Sequence, residues 1–153
     1  MELQKSNVQS ILIIDDDRDD YELVLEAIQE INTGIAVHFM STCEEAMHSR
    51  HRSFDLVFLD INMPGYDGFH WLKSIRERGY TNLPVVMYSN SLSPAHIDRA
   101  YREGATLYFS KPESYTGLIR SLSELIKMDW SNPSSITAKY QRGGKYLTFQ
   151  GSI

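Results

Sequence analysis

Apolar positions along this chain alternate between short unbroken runs and longer stretches with helical spacing. The first run, Ile11-Leu12-Ile13-Ile14, is largely β-branched, as expected of a strand buried on both faces. Behind it Tyr21, Val24, Leu25, Ile28 and Ile31 recur at a helical period, and Asn32-Thr33-Gly34 ends that helix. Ile35 to Phe39 reads as a second strand. Ser41-Thr42-Cys43-Glu44 opens a short helix, with Ser41 or Thr42 as its cap. Leu56 to Leu59 is a third strand, and Pro64-Gly65 turns the loop that follows it. A helix from about Gly68 to Arg78 carries Phe69, Leu72 and Ile75 as its inward stripe. Leu83 to Tyr88 is a fourth strand, with Pro84 confined to its start. Pro94 suits the first turn of a fourth helix, which Gly104 ends. Thr106 to Ser110 is a fifth strand and Lys111-Pro112 a sharp turn; Leu118, Leu122, Leu125 and Ile126 mark a fifth helix.

Strands alternating with helices through short loops predict a three-layer α/β/α fold around a five-stranded parallel sheet. The strand order 2-1-3-4-5 is the most economical for this spacing. After Trp130 the pattern changes. Residues 131–153 are rich in Ser, Gly and Lys/Arg, and Lys139, Arg142 and Lys145 make them locally basic. They read as a solvated, flexible tail, with a docking segment or an added strand as the alternative.

Composition narrows the function classes. The chain has 153 residues, 42% of them hydrophobic and 23% charged, enough for one domain with a sizeable core. A net charge of −5 argues against a surface for DNA, so no direct DNA binding is expected. The single cysteine, Cys43, excludes an intramolecular disulfide and reads as a small packed residue. No apolar run approaches the ~20 residues of a membrane span, and Met1 to Ser10 is polar; no membrane contact and a cytoplasmic location are expected. His38, His48, His51, His70 and His96 are scattered and form no metal-binding pattern.

In a parallel sheet of this kind the carboxyl ends of strands one, three, four and five share one edge. They present Asp15 and Asp16, Asp60, Ser89 and Lys111. Singly, these are a helix start, a loop cap, a hydroxyl and a surface amine. Together they are phosphoryl-transfer equipment. Clustered carboxylates with hard oxygens suit Mg²⁺ or Mn²⁺, the ammonium can hold phosphoryl oxygens, and the hydroxyl adds a further contact. Asp60 stands where a buried strand stops, and a cation bound there would neutralise an incoming phosphoryl group.

The set Asp15-Asp16, Asp60 with Met63-Pro64-Gly65 and Asp67-Gly68, Ser89, and Lys111-Pro112 resembles the receiver domain of two-component response regulators. The resemblance covers residues 9–130 as the receiver and implies a flavodoxin-like (βα)5 fold of the stand-alone type, with no output domain. It implies that Asp60 is the phospho-acceptor. Asp16, Asp60 and the backbone carbonyl of Asn62 would bind Mg²⁺, with Asp15 acting mostly through water. Ser89 and Lys111 would contact the phosphoryl group, and Pro112 would follow a cis peptide bond that fixes the lysine's approach. Tyr108 matches an aromatic switch: Ser89 moves toward the phosphate and the ring turns into the space left, remodelling the face of the fourth helix, fifth strand and fifth helix. The other reading of Tyr108 is a half-exposed strand aromatic. Ser89 stands where threonine is commoner, and the extra acids Asp17, Asp19 and Asp20 are similar to those of stand-alone receivers near phytochrome-type kinases, or are simply a charged helix start.

By the same resemblance the chain is a signalling switch rather than an enzyme. It would take its phosphoryl group from a sensor histidine kinase or a histidine phosphotransfer protein. It would then bind a downstream protein partner, form a homodimer, or pass the group on as a phosphorelay intermediate. The nearest enzyme alternative, a haloacid dehalogenase-type phosphatase, needs a second aspartate two residues after the nucleophile, where this chain has Asn62.

Overall fold

The computed structural model describes residues 8–41, 54–63 and 67–149. The short helix expected after Ser41, Cys43 within it, and the Pro64-Gly65 turn lie outside the described residues. The elements begin with β1 (Ser10–Ile14), α1 (Arg18–Ile31), β2 (Ala36–Met40), β3 (Leu56–Asp60) and α2 (Gly68–Glu77). They continue with β4 (Val85–Ser89), α3 (Pro94–Arg102), β5 (Leu107–Ser110), α4 (Tyr115–Ile126) and α5 (Pro133–Lys139). A hairpin of β6 (Gln141–Arg142) and β7 (Lys145–Tyr146) closes the series.

The sheet order is β2-β1-β3-β4-β5, with every neighbouring pair parallel. β3, β4 and β5 are buried along their whole length, and β1 from Ile11 onward, which is why they read as unbroken apolar runs. Alternate side chains serve opposite layers. Ile11, Ile13, Phe58 and Phe109 pack with Val24 and Ile28 of α1 and Leu122 of α4. Leu12, Ile14, Leu59 and Met87 pack with Phe69 and Leu72 of α2 and Ile97 of α3. β2 starts one residue later than expected, because the Ile35 N–H turns back to the Asn32 carbonyl at 3.3 Å and the Ala36 N–H makes the first bond to Gln9, at 2.8 Å.

The helices start as their sequences specify. Asp17 caps α1 by accepting the Asp19 and Asp20 N–H groups, Asp67 caps α2 through His70, and Ser114 caps α4 through Gly117. Arg76 of α2 ties the far end of the sheet together. Its guanidinium donates to the carbonyls of Gly104, Tyr80 and Leu83, at distances down to 2.6 Å.

Residues 131–149 pack back onto the domain. The Trp130 indole N–H donates to the Leu125 carbonyl at 2.9 Å, Ile136 joins the α1–α4 core layer, and Thr137 bonds the Thr106 carbonyl at 2.8 Å. The β6–β7 hairpin turns at Gly143 and Gly144, both with positive φ, and Phe149 makes a parallel bridge to Phe109 of β5. The anchors Trp130, Ile136 and Phe149 are all buried, but they stand at irregular intervals that no single period detects.

Candidate functional site

Parallel strands bring the carboxyl ends of β1, β3, β4 and β5 to one edge, and the expected residues meet there. Asp15 follows β1, its carboxylate accepting the Asp17 N–H at 2.9 Å. Asp60 is the last residue of β3, paired in register with Tyr88. Both are buried, whereas Asp16 between them is exposed, and oxygens of all three lie within 4.8 Å of one another. Asn62 lies exposed two residues beyond Asp60, and its backbone favours the ionised Asp60 carboxylate.

Lys111 follows β5 directly. Its backbone N–H bonds the Ser89 carbonyl at 2.8 Å, which sets the start of its side chain beside the end of β4. The ammonium lies 3.7 Å from Asp60 and 3.9 Å from Asp15, but only 2.7 Å from Asp20. It also sits 5.0 Å above the Tyr88 ring. Asp20 is thus a member of the site that the sequence grouped with a charged helix start. Its signal was there in part: Asp20 lies in the first turn of the helix that follows Asp15 and Asp16. The contact itself joins residues 91 positions apart and needs the fold. The acids have separate employment, since Asp17 is the α1 cap.

Burial is the main influence on both inner carboxyls. It pushes Asp15 up to about 7, with the Asp60 charge adding to the effect and the Asp17 N–H and Lys111 opposing it. Burial likewise raises Asp60, against the pull of Lys111 and the Asn62 backbone. For Lys111 burial works against the charge, but Asp20, Asp60 and Asp15 outweigh it and hold the amine above the ordinary lysine range. Crowded hard oxygen donors with one ammonium to balance them fit a divalent cation. Asp15, Asp16 and Asp60 are the residues that would hold it.

A model of the response regulator receiver domain matches residues 11–123. The chain belongs to this family. It is 25% identical over 119 residues to the sensory transduction protein BceR of Halalkalibacterium halodurans, covering 76% of this chain and 49% of that protein. The receiver therefore spans about half the length of that curated relative. Among solved structures, the chemotaxis response regulator CheY4 of Vibrio cholerae matches with a TM-score of 0.65 at 26% identity, over 78% of this chain and 99% of that one. The phosphorylated cyanobacterial phytochrome response regulator RcpA shares the fold, with a TM-score of 0.70 at 24% identity, over 77% and 91% of the two chains.

One expectation about this receiver needs correction. The Lys111–Pro112 bond is trans, as are all peptide bonds among the described residues. The trans isomer is the lower in energy by about 0.5–1 kcal/mol for a bond to proline, and with it the ammonium already reaches Asp60, Asp15 and Asp20. The alternative reading of Tyr108 as a half-exposed strand aromatic does not hold, because the residue is fully buried. Its phenol donates to the Ser91 carbonyl at 2.7 Å, so the ring is already turned inward. Ser89 is also fully buried, and its hydroxyl accepts the Ser91 N–H at 3.0 Å within its own loop.

Proposed function

We propose that this receiver accepts a phosphoryl group onto Asp60 in a Mg²⁺-dependent reaction, with Mn²⁺ as a substitute, and signals the change to a protein partner. The donors it fits are a sensor histidine kinase and a histidine phosphotransfer protein, and the chain acts as a switch rather than as an enzyme with a separate substrate. The observation that carries this reading is the Lys111 ammonium at 3.7 Å from Asp60, facing the acids Asp15 and Asp16 across the same strand ends.

In the transfer, an Asp60 carboxylate oxygen forms the bond to phosphorus as the bond from phosphorus to the donor breaks, and the donor leaves with the electron pair. A bound divalent cation supplies charge neutralisation between the anionic nucleophile and the anionic phosphoryl group. Asp15, Asp16 and Asp60 would hold that cation. Lys111 is drawn from Asp20 toward the new phosphoryl oxygens, whose charge of about −1.5 to −2 competes well for an ammonium. Ser89, at the end of the neighbouring strand, turns its hydroxyl from Ser91 toward the same group. That motion reaches Tyr108 through Ser91 and biases the face built from α3, β5 and α4.

Intact mass after incubation with a small phosphodonor and Mg²⁺ tests the reading on wild type and Asp60→Asn. Wild type gains one phosphoryl group, which hydroxylamine removes, and the variant gains none. A wild-type chain that binds Mg²⁺ yet never gains mass, or a variant modified as readily, would refute the assignment.

A further inference from the structure

β5 is the last strand of the five-stranded sheet. An uncovered last strand offers its outward N–H and C=O groups as a template for another chain. Here residues 147–149 take that place. The Phe149 N–H donates to the Tyr108 carbonyl at 2.7 Å, and the Phe149 carbonyl accepts the Ser110 N–H at 3.2 Å. The Tyr101 hydroxyl, reaching over from α3, accepts the Tyr108 N–H at 3.0 Å and donates to the Leu147 carbonyl at 2.8 Å. The Thr148 hydroxyl pairs with that of Ser110 at 2.8 Å. The Phe149 ring is buried edge-on against Phe109 and Tyr140.

This pairing is short. It bridges one residue of β5, where an ordinary strand pairs over about 5–6. Residues 147–149 form a strap bonded to Ser110 and to Tyr108, whose N–H and C=O are both tied to it, directly or through Tyr101. The Tyr108 phenol is bonded to the Ser91 carbonyl, and the Ser91 N–H to the Ser89 hydroxyl. A continuous path of hydrogen bonds thus joins the strap to a hydroxyl at the Asp60 edge of the sheet. When that hydroxyl turns toward a group on Asp60, the Ser91 N–H loses its acceptor. Displacement of the Ser91 carbonyl would carry the Tyr108 anchor with it and loosen the strap.

We propose that the outer edge of β5 is a strand-docking site, filled in cis by residues 147–149 and vacated when the Asp60 site is engaged. The partner it fits is an extended protein segment that adds parallel to β5 and carries a hydroxyl residue followed by an aromatic one. The chain's own Thr148-Phe149 shows the chemistry the edge selects. The vacating step rests on the phosphoryl-acceptor reading; the docking edge stands on the strap geometry alone.

The test uses the full chain with beryllofluoride and Mg²⁺ as a stable phosphoryl mimic, and a labelled peptide Gly-Lys-Tyr-Leu-Thr-Phe as the incoming strand. Fluorine resonance of bound beryllofluoride reports first whether the Asp60 site is engaged. With the mimic bound, the Ser110 and Phe149 amides exchange with solvent at least about tenfold faster, and the peptide binds at least about tenfold more tightly than to the unliganded chain. Unchanged or slower exchange with the mimic bound overturns the coupling. The Phe149→Ala chain, which loses its cis anchor, binds the peptide without any mimic. Failure of that variant to bind, with its sheet intact by circular dichroism, overturns the docking site; should the variant not fold, Thr148→Gly takes its place. Absence of the bound-fluoride signal refutes the acceptor reading and the coupling with it, and the peptide result on Phe149→Ala then judges the edge by itself.

Discussion

At Asp15 two demands on one carboxylate pull apart. The side chain is buried beside Asp60, so its ionised form is costly in the metal-free protein, yet ionised oxygens are what a cation needs. Its carboxyl is raised from 3.8 to about 7, so the folded state keeps a proton that the unfolded chain has lost. The associated stability is full below the unfolded value of 3.8 and is lost as pH rises through about 7. Metal-free wild type should therefore lose on the order of 2 kcal/mol relative to Asp15→Asn between pH 5.5 and 8, measured by urea unfolding. A gap that stays constant across that range would show that Asp15 is ionised throughout. The same crowding explains why Lys111 takes the outer acid, Asp20, as its closest partner: Asp20 is the most exposed carboxylate of the three in reach and the least hindered in turning to meet it.

At the scale of elements, the start of α2 closely approaches the end of β3. The Gly68 N–H bonds the Ile61 carbonyl at 2.8 Å, and a Cβ on Gly68 would stand 2.2 Å from the Asp60 carbonyl oxygen and 2.9 Å from the Ile61 Cα. Both neighbours are backbone and cannot step aside without moving Asp60. Gly68→Ala should cost roughly 1–3 kcal/mol in thermal or denaturant unfolding and should also slow acquisition of mass from a phosphodonor, because the acceptor is displaced. A variant with wild-type stability and rate would mean that the start of α2 can yield without disturbing Asp60. The Asp67-Gly68 pair is readable in the sequence as a helix start, and the structure bears that out through the Asp67 cap. That the glycine also abuts the acceptor's own carbonyl was not readable, since it depends on how α2 returns across the end of β3.

For the whole molecule, a net negative site held together by folding stores repulsion that a cation relieves. Mg²⁺ at 100 times its dissociation constant should stabilise wild type by about 2.7 kcal/mol, seen as a raised midpoint in thermal unfolding. In metal-free buffer Asp60→Asn should unfold at a higher temperature than wild type, because one crowded charge is gone, and added Mg²⁺ should narrow that difference. A wild-type midpoint indifferent to Mg²⁺ would argue that the carboxylates hold no cation. By itself the sequence determined the elements of the sheet, its α/β layering and the identities of Asp15, Asp16, Asp60, Ser89 and Lys111. Those signals are local: unbroken apolar runs, helical periods, glycine and proline stops, and single polar residues at strand ends. Only the tertiary structure decided that Asp20 holds Lys111, that Tyr108 is enclosed, and that residues 147–149 return to the edge of β5. Each of these is a contact between side chains or strand edges far apart in the chain. No local pattern encodes such a pairing, because its energy arises only once the sheet has brought both partners to the same place.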